Sequence, residues 1–183
     1  PSFIAISPTQ QCNLQCIGCY ASSDKETCQS LPFEYITRII DDVYENFGRR
    51  FVVVSGGEPF MYKQNNKTIM DVFEHYPDVF FLVFTNGTLI NKTIAEQLSK
   101  MGNVALSISV EGYEQETDYR RGVGINEKIR NSIDNLKNYG VAFGISVTAT
   151  CKNIDILLNE DFYKYYFDEV GATFMWQFQI MPI

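Results

Sequence analysis

The feature that most constrains the fold of this chain is a regular alternation of strand-length apolar runs with segments of helical period. Six runs rich in β-branched and aromatic residues recur along the sequence, at 3–6, 51–54, 79–84, 104–110, 142–147 and 173–180. Between them, apolar residues are spaced three and four apart, which places them on one face of a helix. Strands that alternate with helices form right-handed parallel βαβ units. The sequence therefore predicts an α/β fold with a parallel sheet.

Five helices are expected between these strands. The segment 33–47 is preceded by Pro32 and followed by Gly48, an asymmetry that is typical of helix ends. The other predicted helices lie at 71–76, 94–101, 125–136 and 161–170. Six strands are too few for a closed barrel of eight units, which takes about 250 residues.

We therefore expect a single domain over 1–183 with an incomplete (β/α)6 barrel of the TIM type, truncated after the sixth strand. A doubly wound open sheet is the alternative. In both architectures, ligands bind at the carboxyl ends of the strands.

Composition excludes two classes of partner. The 183 residues include 22 acidic and 15 basic side chains, and the formal charge of −7 opposes the counterion release that drives binding to nucleic acids. No segment approaches the roughly 18 consecutive apolar residues of a membrane span. We expect neither a nucleic acid nor a membrane as partner.

Three of the five cysteines lie within eight residues, directly after the first predicted strand. Cys12, Cys16 and Cys19 form a Cys-x3-Cys-x2-Cys pattern, and three thiolates on one short loop can converge on a metal centre without help from distant residues. An iron–sulfur cube held by three cysteines leaves one iron without a protein ligand, and that iron is open to a substrate or cofactor.

Zinc is the alternative occupant of this loop, and it requires a fourth ligand. Cys28, Cys151 and the lone histidine, His75, are the candidates. The odd number of cysteines argues against a disulfide framework, and the chain opens without a signal-peptide pattern. We therefore expect a reducing, cytoplasmic location.

Glycine-rich and polar segments follow the next three strands. Ser55-Gly56-Gly57-Glu58-Pro59 ends the second strand, and its glycines allow the backbone to approach a ligand closely. Thr85-Asn86-Gly87-Thr88 ends the third strand. Ser107 to Gly112 ends the fourth and is followed by Tyr119-Arg120-Arg121-Gly122. Taken singly, these segments are ordinary strand-to-helix turns and solvated charges.

The cysteine pattern, followed at once by Tyr20, resembles the signature of the radical S-adenosylmethionine enzymes. A Gly-Gly-Glu-Pro element after the second strand is also typical of that family. The segment from Ser109 to Arg121 resembles the Ser-Leu-Asp-Gly and Arg-Gly elements of its peptide- and protein-modifying branch, the SPASM-type enzymes. Here Val110-Glu111 stands in place of Leu-Asp.

The resemblance implies two cofactors. Cys12, Cys16 and Cys19 would hold a [4Fe–4S] cluster whose open iron chelates S-adenosylmethionine, and Tyr20 would lie near the adenine. The segment 56–59 would bind the methionyl amino group through backbone carbonyls and, by our assignment, through the Glu58 carboxylate. The residues implied in cofactor binding are Tyr20, Gly56, Gly57, Glu58, Pro59, Asn86, Ser109 and Arg121.

Two of these residues have a more specific implied role. Ser109 is expected to contact the ribose or the carboxylate of the cofactor. Arg121 is expected to bind the carboxylate, because a planar guanidinium binds carboxylates bidentately. Arg120 is the alternative for this contact.

The function implied is reductive cleavage of S-adenosylmethionine to a 5′-deoxyadenosyl radical, which abstracts hydrogen from a peptide or protein. The partners implied are that substrate and an electron donor such as flavodoxin or ferredoxin. A glycyl-radical-enzyme activase and a non-enzymatic iron–sulfur or zinc-binding protein are the alternatives. With His75 as the only histidine, we expect no nucleophile–base pair.

The sixth strand gives two further expectations. Its edge is expected to be unprotected, so that the chain self-associates through it. Because side chains alternate along a strand, Trp176 and Phe178 share one face, and Gln177 and Gln179 share the other. The aromatic residues are expected in the core, and the glutamines would touch substrate if they face the barrel interior.

Overall fold

Six parallel strands form one sheet in this protein. The computed structural model describes residues 3–23 and 29–180, so that Cys28, a candidate zinc ligand above, lies outside the described residues. The strands are β1 (Ile4–Ile6), β2 (Phe51–Val54), β3 (Lys63–Gln64), β4 (Lys67–Thr68), β5 (Phe80–Thr85), β6 (Val104–Val110), β7 (Phe143–Ala149) and β8 (Met175–Gln179). The short strands β3 and β4 pair separately as a hairpin, and the others follow the order β1-β2-β5-β6-β7-β8.

Helices connect the strands of the sheet. They are α1 (Phe33–Phe47), α2 (Ile69–His75), α3 (Lys92–Met101), α4 (Glu114–Arg121), α5 (Ile125–Asn138), α6 (Ile154–Leu157) and α7 (Glu160–Tyr163). A π-helical segment, Lys164–Val170, continues α7. The helix predicted at 161–170 is thus present, although most of it has π-helical hydrogen bonds. Gly48 ends α1 in the left-handed conformation, with φ of 61°, as the sequence predicts.

The strand order distinguishes between the two predicted architectures. A doubly wound sheet reverses its strand order and carries helices on both faces. Here the order along the sheet never reverses, so right-handed crossovers place the helices on one face. The main core lies on that face, where alternate residues of β2 and β5, such as Val54 and Phe81, are buried in one cluster with Ile36 of α1. The incomplete-barrel prediction is therefore confirmed.

The opposite face of the sheet is concave. Val53, Leu82 and Ala105 form a second, smaller core cluster on it. The rings of Phe84 on β5 and Phe178 on β8 lie 5.5 Å apart between centroids, although two strands separate β5 from β8. Strands three apart in a flat sheet are about 14 Å apart. The ring contact across β6 and β7 is a consequence of the curl of the sheet.

Helix α4 has no counterpart among the predicted helices. Its sequence, Glu114 to Arg121, is almost entirely polar, and Thr117 is its one buried residue. The apolar period by which the other helices are predicted is therefore missing. Glu116 caps the helix by accepting a hydrogen bond of 3.0 Å from the backbone N–H of Tyr113.

Two expectations about surfaces can be compared with the structure. Strand β8 pairs only with β7 in the sheet of residues 3–23 and 29–180, so its outer edge is unpaired there. Self-association through this edge stays a prediction. No helix in the described part of the chain is long and apolar enough to cross a membrane.

Replacing Phe73 tests the main core. Phe73 is fully buried and packs on Phe81 with ring centroids 4.9 Å apart. We expect Phe73→Ala to lower the free energy of unfolding by about 3–5 kcal/mol, because it opens a cavity. Chemical denaturation gives this value. Phe47→Ala, at a position 61% exposed, is the control and should change it by less than about 0.5 kcal/mol.

Candidate functional site

The cysteine loop begins where β1 ends and runs against the glycine turn after β2. The backbone N–H of Gly57 donates to the Thr9 carbonyl at 2.9 Å, and that of Glu58 donates to the Gln11 carbonyl at 2.7 Å. A Cβ atom on Gly57 would lie 2.1 Å from the Gln11 carbonyl oxygen, so no side chain fits there. Glycine is required at this position because two backbones are in direct contact.

Nitrogen donors lie beside two of the three sulfur atoms of the loop. The Sγ atom of Cys12 accepts from the Leu14 backbone N–H at 3.5 Å and from Asn86 Nδ2 at 3.7 Å. The Sγ atom of Cys16 lies 4.0 Å from Arg121 Nη1. Cys12, Cys16 and Cys19 are all free thiols. Hydrogen bonds to sulfur are one of the means by which proteins tune iron–sulfur centres, so this donor set fits such a group.

Burial governs the charge of these thiols. It raises the pKa of Cys12 and also the pKa of Cys16, where the neighbouring Arg121 guanidinium opposes the rise. The thiolate is the form that binds metal. A positive centre between the sulfurs would therefore supply the charge compensation that the protein interior does not.

No single-ion site is preformed in the described part of the chain. Among residues 3–23 and 29–180, no three His, Cys, Asp or Glu side chains are arranged to hold one metal ion. Each cysteine of a cubane cluster binds a different iron, so such a cluster needs more widely spaced sulfurs than a single ion does. Cys151 and His75, the described candidates for a zinc ligand, form no such group with the loop.

Glu58 connects the ends of β2 and β5 from inside the protein. Its carboxylate is fully buried and accepts hydrogen bonds from Thr85 Oγ1 at 2.7 Å, Asn86 N at 2.8 Å and Phe60 N at 3.2 Å. Burial raises the pKa of Glu58, and these three donors oppose the rise. The side chain is therefore engaged by protein groups, and the contact with an ammonium that we assigned to it needs correction. The backbone of Gly56 and Gly57 is the part of this segment that remains for a ligand.

Asn86 ties the end of β5 to the cysteine loop. Its Nδ2 donates to Asn13 Oδ1 at 2.9 Å, and Asn13 Nδ2 donates to Thr88 Oγ1 at 2.8 Å. The hydroxyl and the backbone N–H of Thr88 both donate back to Asn86 Oδ1, at 2.7 and 2.9 Å. This closed network accounts for the burial of Asn86, and it positions the residue as a support of Cys12.

Glu111 joins both arginines at the end of β6. Its buried carboxylate accepts from Arg120 Nη1, and from Arg121 at 2.9 Å (Nε) and 2.5 Å (Nη2). It also accepts a hydrogen bond of 3.3 Å from the backbone N–H of Thr148 on β7. Two guanidinium groups share one carboxylate, so this group carries one net positive charge beside Cys16.

Arg120 also forms hydrogen bonds with the cysteine loop. Its Nε donates to the Ile17 carbonyl at 3.1 Å, and its backbone carbonyl accepts from the Ile17 N–H at 2.9 Å. Arg121 instead directs Nη1 toward Cys16. The two arginines that the sequence left as alternatives therefore have different contacts: one holds the loop backbone and the other faces the sulfur.

The remaining predicted residues lie at the same end of the sheet. Ser109 on β6 lies beside Ser146 on β7, with their Oγ atoms 3.1 Å apart. Tyr20 is 70% exposed, and its hydroxyl lies 2.8 Å from Ser55 Oγ at the end of β2. Pro59 opens a short 3₁₀ turn and is buried. The carboxyl ends of β1, β2, β5 and β6 thus bring all the predicted site residues together.

The sixth strand of the sheet, β8, turns its aromatic residues toward the barrel interior. Trp176 pairs with Ser146 and Phe178 with Thr148, which puts both rings on the concave face with Phe84. They are 40% and 45% exposed, so the expectation that they belong to the core was wrong. Gln177 and Gln179 alternate onto the other face. The glutamines therefore do not line the barrel interior.

Sequence reasoning missed the residues that support the site. Glu111 was noted only as a departure from the Leu-Asp pattern, and the contacts of Asn13 and Thr88 were not foreseen. Asn13 meets Asn86 and Thr88, 73 and 75 positions away along the chain, and Glu111 meets Thr148, 37 positions away. The local pattern does not encode contacts at these separations. The acidic residue before Gly112 and the double arginine were the available signal for an ion pair.

Comparison with known proteins identifies the family. The model of the Radical SAM superfamily matches residues 6–161, and the chain belongs to this superfamily. It is 30% identical over 148 residues to Fe-coproporphyrin III synthase from Methanosarcina barkeri. This match covers 80% of this chain and 36% of the relative. It is 29% identical over 160 residues to the sporulation killing factor maturation protein SkfB from Bacillus subtilis. This match covers 84% of this chain and 38% of the relative.

A solved structure has the same fold. SuiB from Streptococcus suis, in its crystal structure bound to S-adenosylmethionine, matches with a TM-score of 0.81 at 18% identity, over 100% of this chain and 41% of SuiB. The chain spans less than half the length of each of these three proteins.

The contact between Arg120 and the cysteine loop generates a prediction. We expect Arg120→Met to lower the iron retained after anaerobic reconstitution at least twofold, because the loop loses the side-chain hydrogen bond from Arg120 Nε to the Ile17 carbonyl and Glu111 loses a partner. Iron and sulfide assays on desalted protein measure this. Arg38→Met, at an exposed position of α1, is the control and should retain the iron of the unaltered chain. Equal iron in both variants would show that the Arg120 side chain is not needed to hold the cysteine loop.

Proposed function

We propose that this chain, over 1–183, is the core domain of a radical S-adenosylmethionine enzyme that binds a [4Fe–4S] cluster and modifies a peptide or protein. One observation carries the proposal. The cysteine loop is held between the glycine turn after β2 and the arginines of α4, at the open end of a curled sheet. A non-enzymatic metal binder has no need for those two contacts.

Cys12, Cys16 and Cys19 would hold the cluster. The free thiols and the nitrogen donors around Cys12 and Cys16 fit a group that binds three thiolates. When bound, the reduced cluster supplies the electron that cleaves S-adenosylmethionine to methionine and a 5′-deoxyadenosyl radical. The chain itself positions the reactants, holds the loop rigid and excludes water.

The cofactor would lie between the glycine turn and α4. Backbone carbonyls of Gly56 and Gly57 are suitable partners for its ammonium group. Arg121 is the stronger candidate for its carboxylate, because its Nη1 faces Cys16 and bonds neither Glu111 nor the loop backbone, whereas Arg120 is held by the Ile17 carbonyl. Nε and Nη2 of Arg121 are paired with Glu111, so Nη1 alone would make this contact. Ser109 and Tyr20 would complete the site at the ribose and adenine.

Similarity to the maturation protein SkfB supports a peptide or protein substrate. The match to Fe-coproporphyrin III synthase favours a second candidate, a tetrapyrrole substrate. The segment that resembles the peptide-modifying branch, from Ser109 to Arg121, leads us to prefer the first. An electron donor such as flavodoxin or ferredoxin, and a cytoplasmic location, belong to the same proposal.

The formation of 5′-deoxyadenosine tests the activity. After anaerobic reconstitution with iron and sulfide, and with dithionite as reductant, the chain is expected to convert S-adenosylmethionine to 5′-deoxyadenosine. We expect Cys16→Ser to reduce this product at least a hundredfold, because the cluster loses a ligand. Cys151→Ser, at an exposed cysteine outside the loop, is the matched control and should keep the full yield. Liquid chromatography with mass detection measures the product.

Two outcomes would contradict the proposal. Reconstituted protein that never gains iron and sulfide would remove the cluster from it. Equal product from Cys16→Ser and Cys151→Ser would show that the loop is not the reaction centre.

A further inference from the structure

Three aromatic side chains form a continuous surface on the concave face of the sheet. Phe84 meets Trp176 and Phe178 edge to face, with ring centroids 5.9 and 5.5 Å apart. The rings of Trp176 and Phe178 are nearly parallel, at 12°, with centroids 6.5 Å apart. Trp176 and Phe178 are 40% and 45% exposed, so their outer surfaces are uncovered in this structure. We call these three residues the aromatic wall.

The lower part of the concave face is already filled. Val53, Leu82 and Ala105 are buried there under Phe51 and Phe174. The ring of Phe174 covers Gly144 so closely that a Cβ atom on that glycine would lie 2.5 Å from it. The open space therefore begins at the aromatic wall and extends toward the carboxyl ends of the strands.

The aromatic wall is continuous with the candidate cofactor site. Ile180, directly after β8, packs on the cysteine loop, with its Cδ1 atom 2.9 Å from where a Cβ of Gly18 would lie. Trp176 is paired in register with Ser146, whose hydroxyl lies 3.1 Å from that of Ser109. A group that rests on the wall is thus bordered by the cysteine loop on one side and by Ser109 on the other.

The chemistry of the wall selects its occupant. Glu111 and its two arginines pair with one another at the cofactor end of the site, where their one net positive charge lies beside Cys16, and Glu58 is buried behind the glycine turn. Exposed faces of Trp and Phe are stabilised when apolar surface covers them, and they offer no partner to an anion. The indole N–H of Trp176 is a hydrogen-bond donor that can orient a backbone carbonyl of the occupant.

We propose that Phe84, Trp176 and Phe178 form the specificity pocket for a large apolar side chain of the peptide substrate, such as leucine, methionine or phenylalanine, beside the cofactor. This inference rests on the proposed function and names the class of residue that it acts on. The pocket disfavours substrates with an acidic side chain at that position, because burial of an unpaired carboxylate against the wall is costly.

Fluorescence of the chain reports directly on this pocket, because Trp176 is the only tryptophan. The probes are blocked tripeptides, acetyl-Gly-Xaa-Gly-amide, in which Xaa is Leu, Phe or Glu. They are titrated anaerobically into the reconstituted chain with S-adenosylmethionine present. We expect the Leu and Phe probes to shift the emission to shorter wavelengths and to bind at least fivefold more tightly than the Glu probe.

Variants on the two faces of β8 provide the control. We expect Phe178→Ala to reduce the preference for apolar probes to less than twofold, and Phe178→Leu, which keeps apolar volume, to retain at least half of it. Gln177→Ala changes the neighbouring residue on the other face and should leave the preference unchanged. Thermal unfolding of each variant verifies that it is folded.

Three results would overturn the inference. The first is equal binding of the Glu probe and of the Leu and Phe probes. A preference that survives Phe178→Ala in a folded variant would remove the wall from recognition. Emission that responds fully to S-adenosylmethionine alone, or to coproporphyrin III in preference to every peptide, would assign the wall to a different ligand.

The test separates this inference from the function on which it rests. Formation of 5′-deoxyadenosine without selectivity among the probes would leave the proposed function standing and reject the pocket. Selectivity among the probes in a chain that forms no 5′-deoxyadenosine would reject the proposed function instead.

Discussion

The close contact between the backbones of Gly57 and Gln11 is the constraint on which the site depends. It brings the turn after β2 against the entrance of the cysteine loop, at a distance that only glycine allows. Two backbone hydrogen bonds, to the carbonyls of Thr9 and Gln11, then fix the relative position of the two segments. Because the groups in contact are backbone atoms, side-chain motion cannot loosen the junction. The ends of β1 and β2 act as one rigid unit.

Two buried carboxylates extend this unit to the other strands. Glu58 joins the end of β2 to β5, and Glu111 joins the end of β6 to α4 and β7. A buried charge is tolerated only where donors compensate it, and both acids receive several. A buried acid that loses its donors destabilises the protein. Glu58 and Glu111 therefore favour the one arrangement of the strand ends in which their donors are in place, and this specificity is a larger effect than any net gain in stability. The polar residues at this end of the sheet therefore serve the geometry of the site.

Much of the scaffold was predictable because its signals are local. The apolar runs gave all six sheet strands, and the pattern at 33–47 gave α1 with its terminal Gly48. Helix α4 was missed because Glu114 to Arg121 lacks an apolar face and is held by its C-terminal arginines. The faces of Trp176 and Gln177 follow from register with β7, which no local pattern encodes. The cysteine triplet and the glycine turn were found from sequence, whereas the partners of Glu58, Asn86 and Glu111 required the strand ends to be in place.

The hydrogen bonds between Arg120 and Ile17 have a consequence for the order in which the protein assembles. These residues are 103 positions apart, so the contact forms only after the intervening strands have paired. The cysteine loop is anchored on one side by the turn after β2 and on the other by this late contact. Its three sulfurs therefore take up their relative positions only once the chain has been synthesised and folded as far as Arg120. A nascent chain released before Arg120 would present three loose thiols, and delivery of a metal centre is best timed after that point.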